Sequence, residues 1–357
     1  VRLPTTPNRP LRSPDATQSL GDIALRTQPA LRFTENAAFD ADRVEYDADY
    51  ENSQAHSPRF VAHMQSVATM LRARLPRGAR VVEVGCGKGD FVAMLGADGG
   101  LDVRGFDRTY AGDDPRIEAR WLDARDRLDA DLVVLRHVLE HIRAPHRFVA
   151  LLRDIFGPAT PLYVEVPAFD WTLAHAAFFD ITYEHVNYFT EHALAALFGG
   201  RVDAAGRCFD DQYQYAIAPL GALDTTFGVH YDAGPWVDAD FDALFPQLVA
   251  AIDRIDAHLV DGRRAWVWGA ATKGCLFLAH CAARGRVIDH VGGAIDVNPG
   301  KVGRFLPGSG VAVHAPSSLA DLASPRDLLV AANPAYADEI RASLAGGPLA
   351  DIELMCL

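Results

Sequence analysis

The stretch DITYEHVNYFT, residues 180–190, sets Tyr183, Glu184, His185, Asn187 and Tyr188 within six positions. An imidazole, with an ordinary pKa of about 6.5, takes up and releases protons near working pH. A carboxylate beside it can orient an imidazole or hold a substrate. A phenol such as Tyr183 or Tyr188 can donate to an oxyanion. The chemistry open to this segment is therefore general acid–base work, with His185 as the leading base and Glu184 and Tyr183 in support. Adjacent side chains often point apart, so Glu184 need not pair with His185. The plain alternative is that Glu184 caps a turn and His185 packs in the core.

Groups of this kind need elements to hold them. Residues 1–30 are rich in Pro, Arg, Thr and Ser without sustained periodicity, and read as an arm, mobile or draped over the body. Ser57-Pro58 opens the first clear helix, with Ser as N-cap and Pro at the first helical position. Strand-like ARVVEVG, LDVRGFD, DLVVLR and PLYVEVP then alternate with helical DFVAMLGA and HRFVALLRDIF. That alternation predicts a doubly wound, mostly parallel α/β sheet. DFDALFPQLVAAIDRIDAHLV reads as one long amphipathic helix. RAWVWGAATKG, HVGGAIDVNPGK and DLLVAANPAYADEI then restart the strand-to-turn pattern in a second, smaller Rossmann-like α/β domain. The expected division is an arm over 1–45, a first domain over 46–235 and a second over 236–357.

Two glycine loops stand at strand ends. VVEVGCGKGDF supplies Glu83, Gly85, Gly87 and Gly89 between a strand and a helix, where glycine lets the backbone turn tightly and approach a ligand. The pattern E-x-G-x-G-x-G differs from the dinucleotide fingerprint G-x-G-x-x-G. Asp107, ending the second strand, is placed to accept from ribose hydroxyls, and Asp123 to accept from an adenine amino group. His137, after the fourth strand, faces the same site, whereas Glu140 and His141 read as structural. WGAATKG and IDVNPGKVGRFLPGSG form the second loop system, with Lys273, Asn298 and Lys301. A glycine turn beside a lysine can hold a phosphate, and Asn at a strand end can read a sugar or base.

Composition narrows the partners. The 357 residues carry a net charge of −13, which argues against sequence-independent binding to nucleic acid or an anionic membrane. The five cysteines form no CxxC pair, and no HExxH-like spacing is present, so no metal site is expected. No apolar run of about 18 residues and no signal-peptide pattern occurs, so a cytoplasmic location is expected. Oligomeric state is not legible.

The ordered set from Glu83 to the fourth strand resembles class I S-adenosylmethionine-dependent methyltransferases over roughly residues 55–170. With GAATKG and DVNPGKVGRFLPG it resembles, over most of 46–345, the nucleotide-sugar C-methyltransferases with a Rossmann-like C-terminal domain. The cysteine-rich zinc-binding segment usual in that family is expected to be absent, since no cysteine precedes Cys86. Thr182 stands where those enzymes carry Tyr, two positions before Glu184. The resemblance implies S-adenosylmethionine as cofactor, bound by Glu83, Gly85, Gly87, Gly89, Asp107, Asp123 and His137. It implies a small-molecule acceptor, a nucleotide-linked sugar methylated next to its keto group, with His185 drawing off the proton. Tyr46 and Tyr50, before the first helix, could lie over the donor. Tyr50, Gln212, Lys273, Asn298 and Lys301 are the candidate substrate contacts. Alternatives are O-methylation of a sugar or natural-product hydroxyl, a non-catalytic cofactor-binding scaffold, and a dehydrogenase.

Overall fold

The computed structural model describes residues 1–357 apart from 17, 45, 46, 48 and 52–55, so Tyr46 and the expected boundary after residue 45 lie outside the described residues. Helix Pro58–Arg72 starts as expected: Ser57 Oγ accepts from the Phe60 N–H. Its Phe60, Met64, Val67 and Leu71 face inward.

The first sheet has seven strands. In spatial order these are Ala204–Cys208, Tyr213–Pro219, Pro161–Pro167, Leu132–Arg136, Arg80–Val84, Asp102–Phe106 and Ile117–Glu118. The five from Pro161–Pro167 onward are parallel; Tyr213–Pro219 runs antiparallel to them and pairs antiparallel with the edge strand Ala204–Cys208. The central strands are buried on both faces, which is why they read as near-continuous apolar runs. The second sheet is wholly parallel, in the order Val313–His314, Val291–Ile295, Ala265–Trp268, Leu328–Ala331, Glu353–Cys356.

Two small antiparallel sheets were not legible. Arg2–Pro4 pairs with Leu20–Asp22. Asn187–Phe189, Phe33–Asn36, Leu25–Gln28 and Val237–Ala239 form a four-stranded sheet. The arm is thus draped over the body, with Leu3 and Phe33 fully buried. Strands of three or four residues are too short to show a period in sequence.

The long helix expected over 240–260 is two helices, Phe241–Leu244 and Gln247–His258. Pro246 separates them, because its ring has no N–H to donate and crowds the preceding turn. No helix among the described residues is long and apolar enough to cross a membrane.

Candidate active site

A cavity of about 310 Å³ opens where the carboxyl ends of strands from both parallel sheets meet. Its walls include Tyr50, Glu83, Gly85, Gly87, His137, Glu184, His185, Lys273, Asn298 and Lys301. Ten of the candidate residues, from segments far apart in sequence, thus converge.

The first glycine loop follows strand Arg80–Val84, with Gly85 at φ 76° and Gly87 at φ 55°. A Cβ at Gly85 would stand 2.4 Å from Val138 Cγ2, so a larger residue there would push the loop off its neighbour. Asp107 stands behind this loop rather than on the cavity wall. It accepts from the Gly87 N–H at 2.8 Å and from the backbone and hydroxyl of Thr109, both at 2.7 Å. Gly89 is also off the wall, its Cα facing Ile117.

Beneath the loop lies a buried polar floor. Glu165 is fully buried and accepts from Tyr163 Oη at 2.6 Å, and from Arg136; His63 Nε2 lies 2.9 Å away. Burial alone would raise its carboxyl, but Arg136, His137 and His63 hold it well below the usual carboxylate range. His137 Nε2 is 3.1 Å from Glu165 Oε1, close enough for an ion pair though not aligned as a hydrogen bond. Burial lowers the His137 imidazole, and contacts with Glu140 and Glu165 outweigh it, raising it to about 9. Glu83 is the opposite case. Burial pushes its carboxyl up to about 8, against the pull of Arg136, and its Oε2 is buried without a hydrogen-bond partner.

The segment after strand Pro161–Pro167 divides by side-chain direction. Glu184 is 1% exposed and accepts from Tyr50 Oη at 2.8 Å, which ties the connector to the site. His185 sets its ring against His141, centroids 4.8 Å apart at 86°. No hydrogen bond holds the His185 ring among the described residues. Burial, then the nearby His141, His137 and Lys273, keep it well below the ordinary imidazole range.

Tyr183 corrects the sequence reading. It is fully buried on the other side of the segment, where Oη accepts from the Asp40 N–H at 2.8 Å and the ring covers Gly21. Its role is to anchor the arm. Asp123 is a second correction. Its side chain is 59% exposed and its Oδ1 accepts from the Arg125 N–H, a local turn away from the cavity.

On the second domain's side, Gly269 turns the chain at φ 104° after strand Ala265–Trp268. Lys273 is engaged rather than open, 2.8 Å from Asp180 Oδ1 and 3.1 Å from Gln212 Oε1. Gln212 lies off the wall and braces Lys273 and Asn333. Lys301 is different: its side chain is 4% exposed and its ammonium meets only Asp296, at 3.9 Å, among the described residues. Asn298 donates to Glu51 Oε2 at 3.3 Å, and Lys88 of the first glycine loop sits 3.5 Å from Glu51 Oε1. Sequence reasoning missed Arg136, Glu165 and His63, and Asn8 of the arm, which lines the cavity. The available signal was a charged residue inside an apolar strand, as in PLYVEVP.

The comparisons decide between the enzyme classes such a cavity could serve. Residues 55–201 match a family model described as a methyltransferase domain, and residues 246–347 match one described as a C-methyltransferase C-terminal domain. The chain is an S-adenosylmethionine-dependent methyltransferase. This methyltransferase is similar to many solved structures, among them the following three. One is a putative methyltransferase in complex with the Haloferax volcanii Trm112 activator, 13% identical, covering 45% of this chain and 91% of that one, with a TM-score of 0.38. Another is magnesium protoporphyrin IX methyltransferase from Synechocystis PCC 6803 with bound SAH, 17% identical, covering 45% and 85%, with a TM-score of 0.34. The third is the N-methyltransferase NodS from Bradyrhizobium japonicum WM9, 14% identical, covering 45% and 96%, with a TM-score of 0.33. No curated protein matches the chain.

The methyltransferase's first glycine loop fits its cofactor. S-adenosylmethionine carries an ammonium and a sulfonium, and the orphaned buried Oε2 of Glu83 is an acceptor suited to a cation.

Proposed function

We propose that the chain methylates the carbon next to a keto group of a nucleotide-linked sugar, with His185 as general base. One observation carries this reading: His185, unheld by any hydrogen bond among the described residues, lines the cavity shared by the two glycine loops. An imidazole kept neutral can accept a proton from a carbon acid, and a nearby keto oxygen spreads the charge left behind. Bound S-adenosylmethionine supplies a methyl group on positively charged sulfur, open to in-line attack. Glu184, held by Tyr50, is suited to orient the acceptor. Lys301 and Asn298 are suited to the phosphate and sugar of its handle, Lys301 because its ammonium is desolvated and weakly paired. The description of the second domain as that of C-methyltransferases supports carbon as the acceptor.

His185→Ala should lower turnover by about 10²–10⁴-fold while leaving calorimetric cofactor affinity nearly unchanged. Equal loss of both would make His185 structural and sink the base assignment. Solvent deuterium should enter the acceptor carbon when keto-sugar nucleotides are incubated with enzyme and S-adenosylhomocysteine. Methylation of a hydroxyl without such exchange would replace this reading by O-methylation.

A further inference from the structure

We propose that Glu140, His141 and His185 form a binding site for a divalent transition-metal ion of the zinc class, and that an ion held there takes His185 out of proton transfer. The second clause rests on His185 being the base; the first does not.

Each of the three residues offers a ligand atom, and these atoms all lie within 4.8 Å of one another on the cavity wall. Bonds of about 2.0–2.2 Å to nitrogen and oxygen put tetrahedral ligands about 3.3 Å apart, so a modest inward turn of the side chains closes the site. The side chains that must turn are lightly held. His185 makes no hydrogen bond among the described residues. Glu140 is 1% exposed, yet both its carboxylate oxygens are buried without a hydrogen-bond partner. Its charged neighbour is His137, whose Nδ1 is 3.5 Å from Oε1. His137 offsets part of the cost of burying that carboxylate, and a cation meeting its unbonded oxygens offsets more. His141 is already oriented: its Nδ1 lies 3.0 Å from the backbone carbonyl of Glu184. Donation there puts the lone pair on Nε2, as outer partners do for metal-bound imidazoles. Three protein ligands leave a fourth position facing the cavity.

A second trio, His63, Glu165 and Cys208, has similar spacing but the wrong chemistry. Arg136, Tyr163 and His63 already occupy Glu165, and the Arg136 guanidinium repels a second cation. Burial also pushes the Cys208 thiol well up, so no thiolate is on offer.

The test uses the full chain stripped with a chelator. Titration with Zn²⁺ by calorimetry, and with Co²⁺ followed by its visible absorption, should each reveal one site per chain. Glu140→Gln, His141→Asn and His185→Asn should each weaken binding by at least about tenfold, with S-adenosylhomocysteine affinity and Tm retained. Cys208→Ser should change nothing. A thiolate-to-cobalt charge-transfer band on the unaltered chain, or metal binding lost only in Cys208→Ser, would move the ion to the other trio and overturn the proposal. So would the lack of any saturable site. Zn²⁺ should also suppress methyl transfer, and a chelator should restore it. Full activity with the site loaded would overturn the blocking clause alone. Metal binding by a chain that methylates no keto sugar would instead sink the function proposed above.

Discussion

Glu83 sits in an apolar strand with one carboxylate oxygen unpartnered, and burial brings its pKa up to about 8. At neutral pH the folded chain keeps a proton that the unfolded chain releases above about 4.5. Stability therefore falls as pH rises from about 4.5 to about 8, and is flat above both values. A cation arriving at Oε2 favours the carboxylate, so cofactor binding should release a proton at pH 7. Calorimetry in buffers of different ionisation enthalpy should detect that release, and affinity should climb toward pH 8 and then level. Glu83→Gln should remove the pH dependence and weaken binding by about 10–100-fold, the loss of one hydrogen bond to a charged group. His185 moves the other way. Its imidazole is active when neutral, and its pKa is depressed, so at saturating cofactor activity should persist as pH falls below 6.5 and fail only at a lower value. At saturating S-adenosylmethionine, a kcat/KM profile for the acceptor with its acid limb above pH 6.5 would contradict that assignment. His137, raised to about 9, contributes stability that is present below 6.5 and lost as pH rises through 9.

Elements decide which neighbours in sequence become neighbours at the site. In Tyr183-Glu184-His185 a bend at Tyr183 and Glu184 sends Tyr183 to the arm and the next two residues toward the cavity. Sequence spacing flagged the segment but could not assign its faces, because its partners Gly21 and Asp40 lie some 140 or more residues away. A Cβ at Gly21 would come within 2.1 Å of the Tyr183 ring. Gly21→Ala should therefore cost about 1–3 kcal/mol of stability, read by denaturant unfolding, with little change in kcat. Tyr183→Phe removes the hydroxyl that accepts from the Asp40 N–H and donates to the Ala38 carbonyl at 3.3 Å, and should cost about 1–3 kcal/mol, again sparing kcat. A large loss of kcat in Tyr183→Phe, with Tm retained, would return Tyr183 to the chemistry. The parallel strands and glycine turns were legible because burial on both faces and positive φ leave marks in local composition. The break at Pro246 was legible too, but apolar periodicity on both sides of it masked the stop. Glu165 was hidden by the reverse effect: one acid in an apolar strand says that a partner exists, not that it is Arg136.

At the scale of the molecule, the two α/β units are joined by polar ties. Lys273 of the second unit meets Asp180 of the first at 2.8 Å, and Glu51 spans Lys88 and Asn298. Lys273→Met leaves Asp180 without its cation in a largely buried setting, and should cost about 1–3 kcal/mol in chemical unfolding. It should also raise the KM for the acceptor more than it lowers kcat. None of these ties could be read in advance, since each depends on how two separately patterned sheets face one another.

The arm has a temporal consequence. Its strand Leu25–Gln28 is paired on one side by Val237–Ala239, and Asn8 reaches Thr272 across 264 residues. During synthesis at about 5–20 residues per second, those early strands wait many seconds for the segments that will cover them. Over that interval Leu3 and Leu25, whose core neighbours include Phe241, Leu248 and Phe277, are exposed apolar groups on a nascent chain, so a fragment ending before residue 237 should be held by chaperones or aggregate. A seam that looks like packaging in the finished enzyme is, on the ribosome, its last stitch.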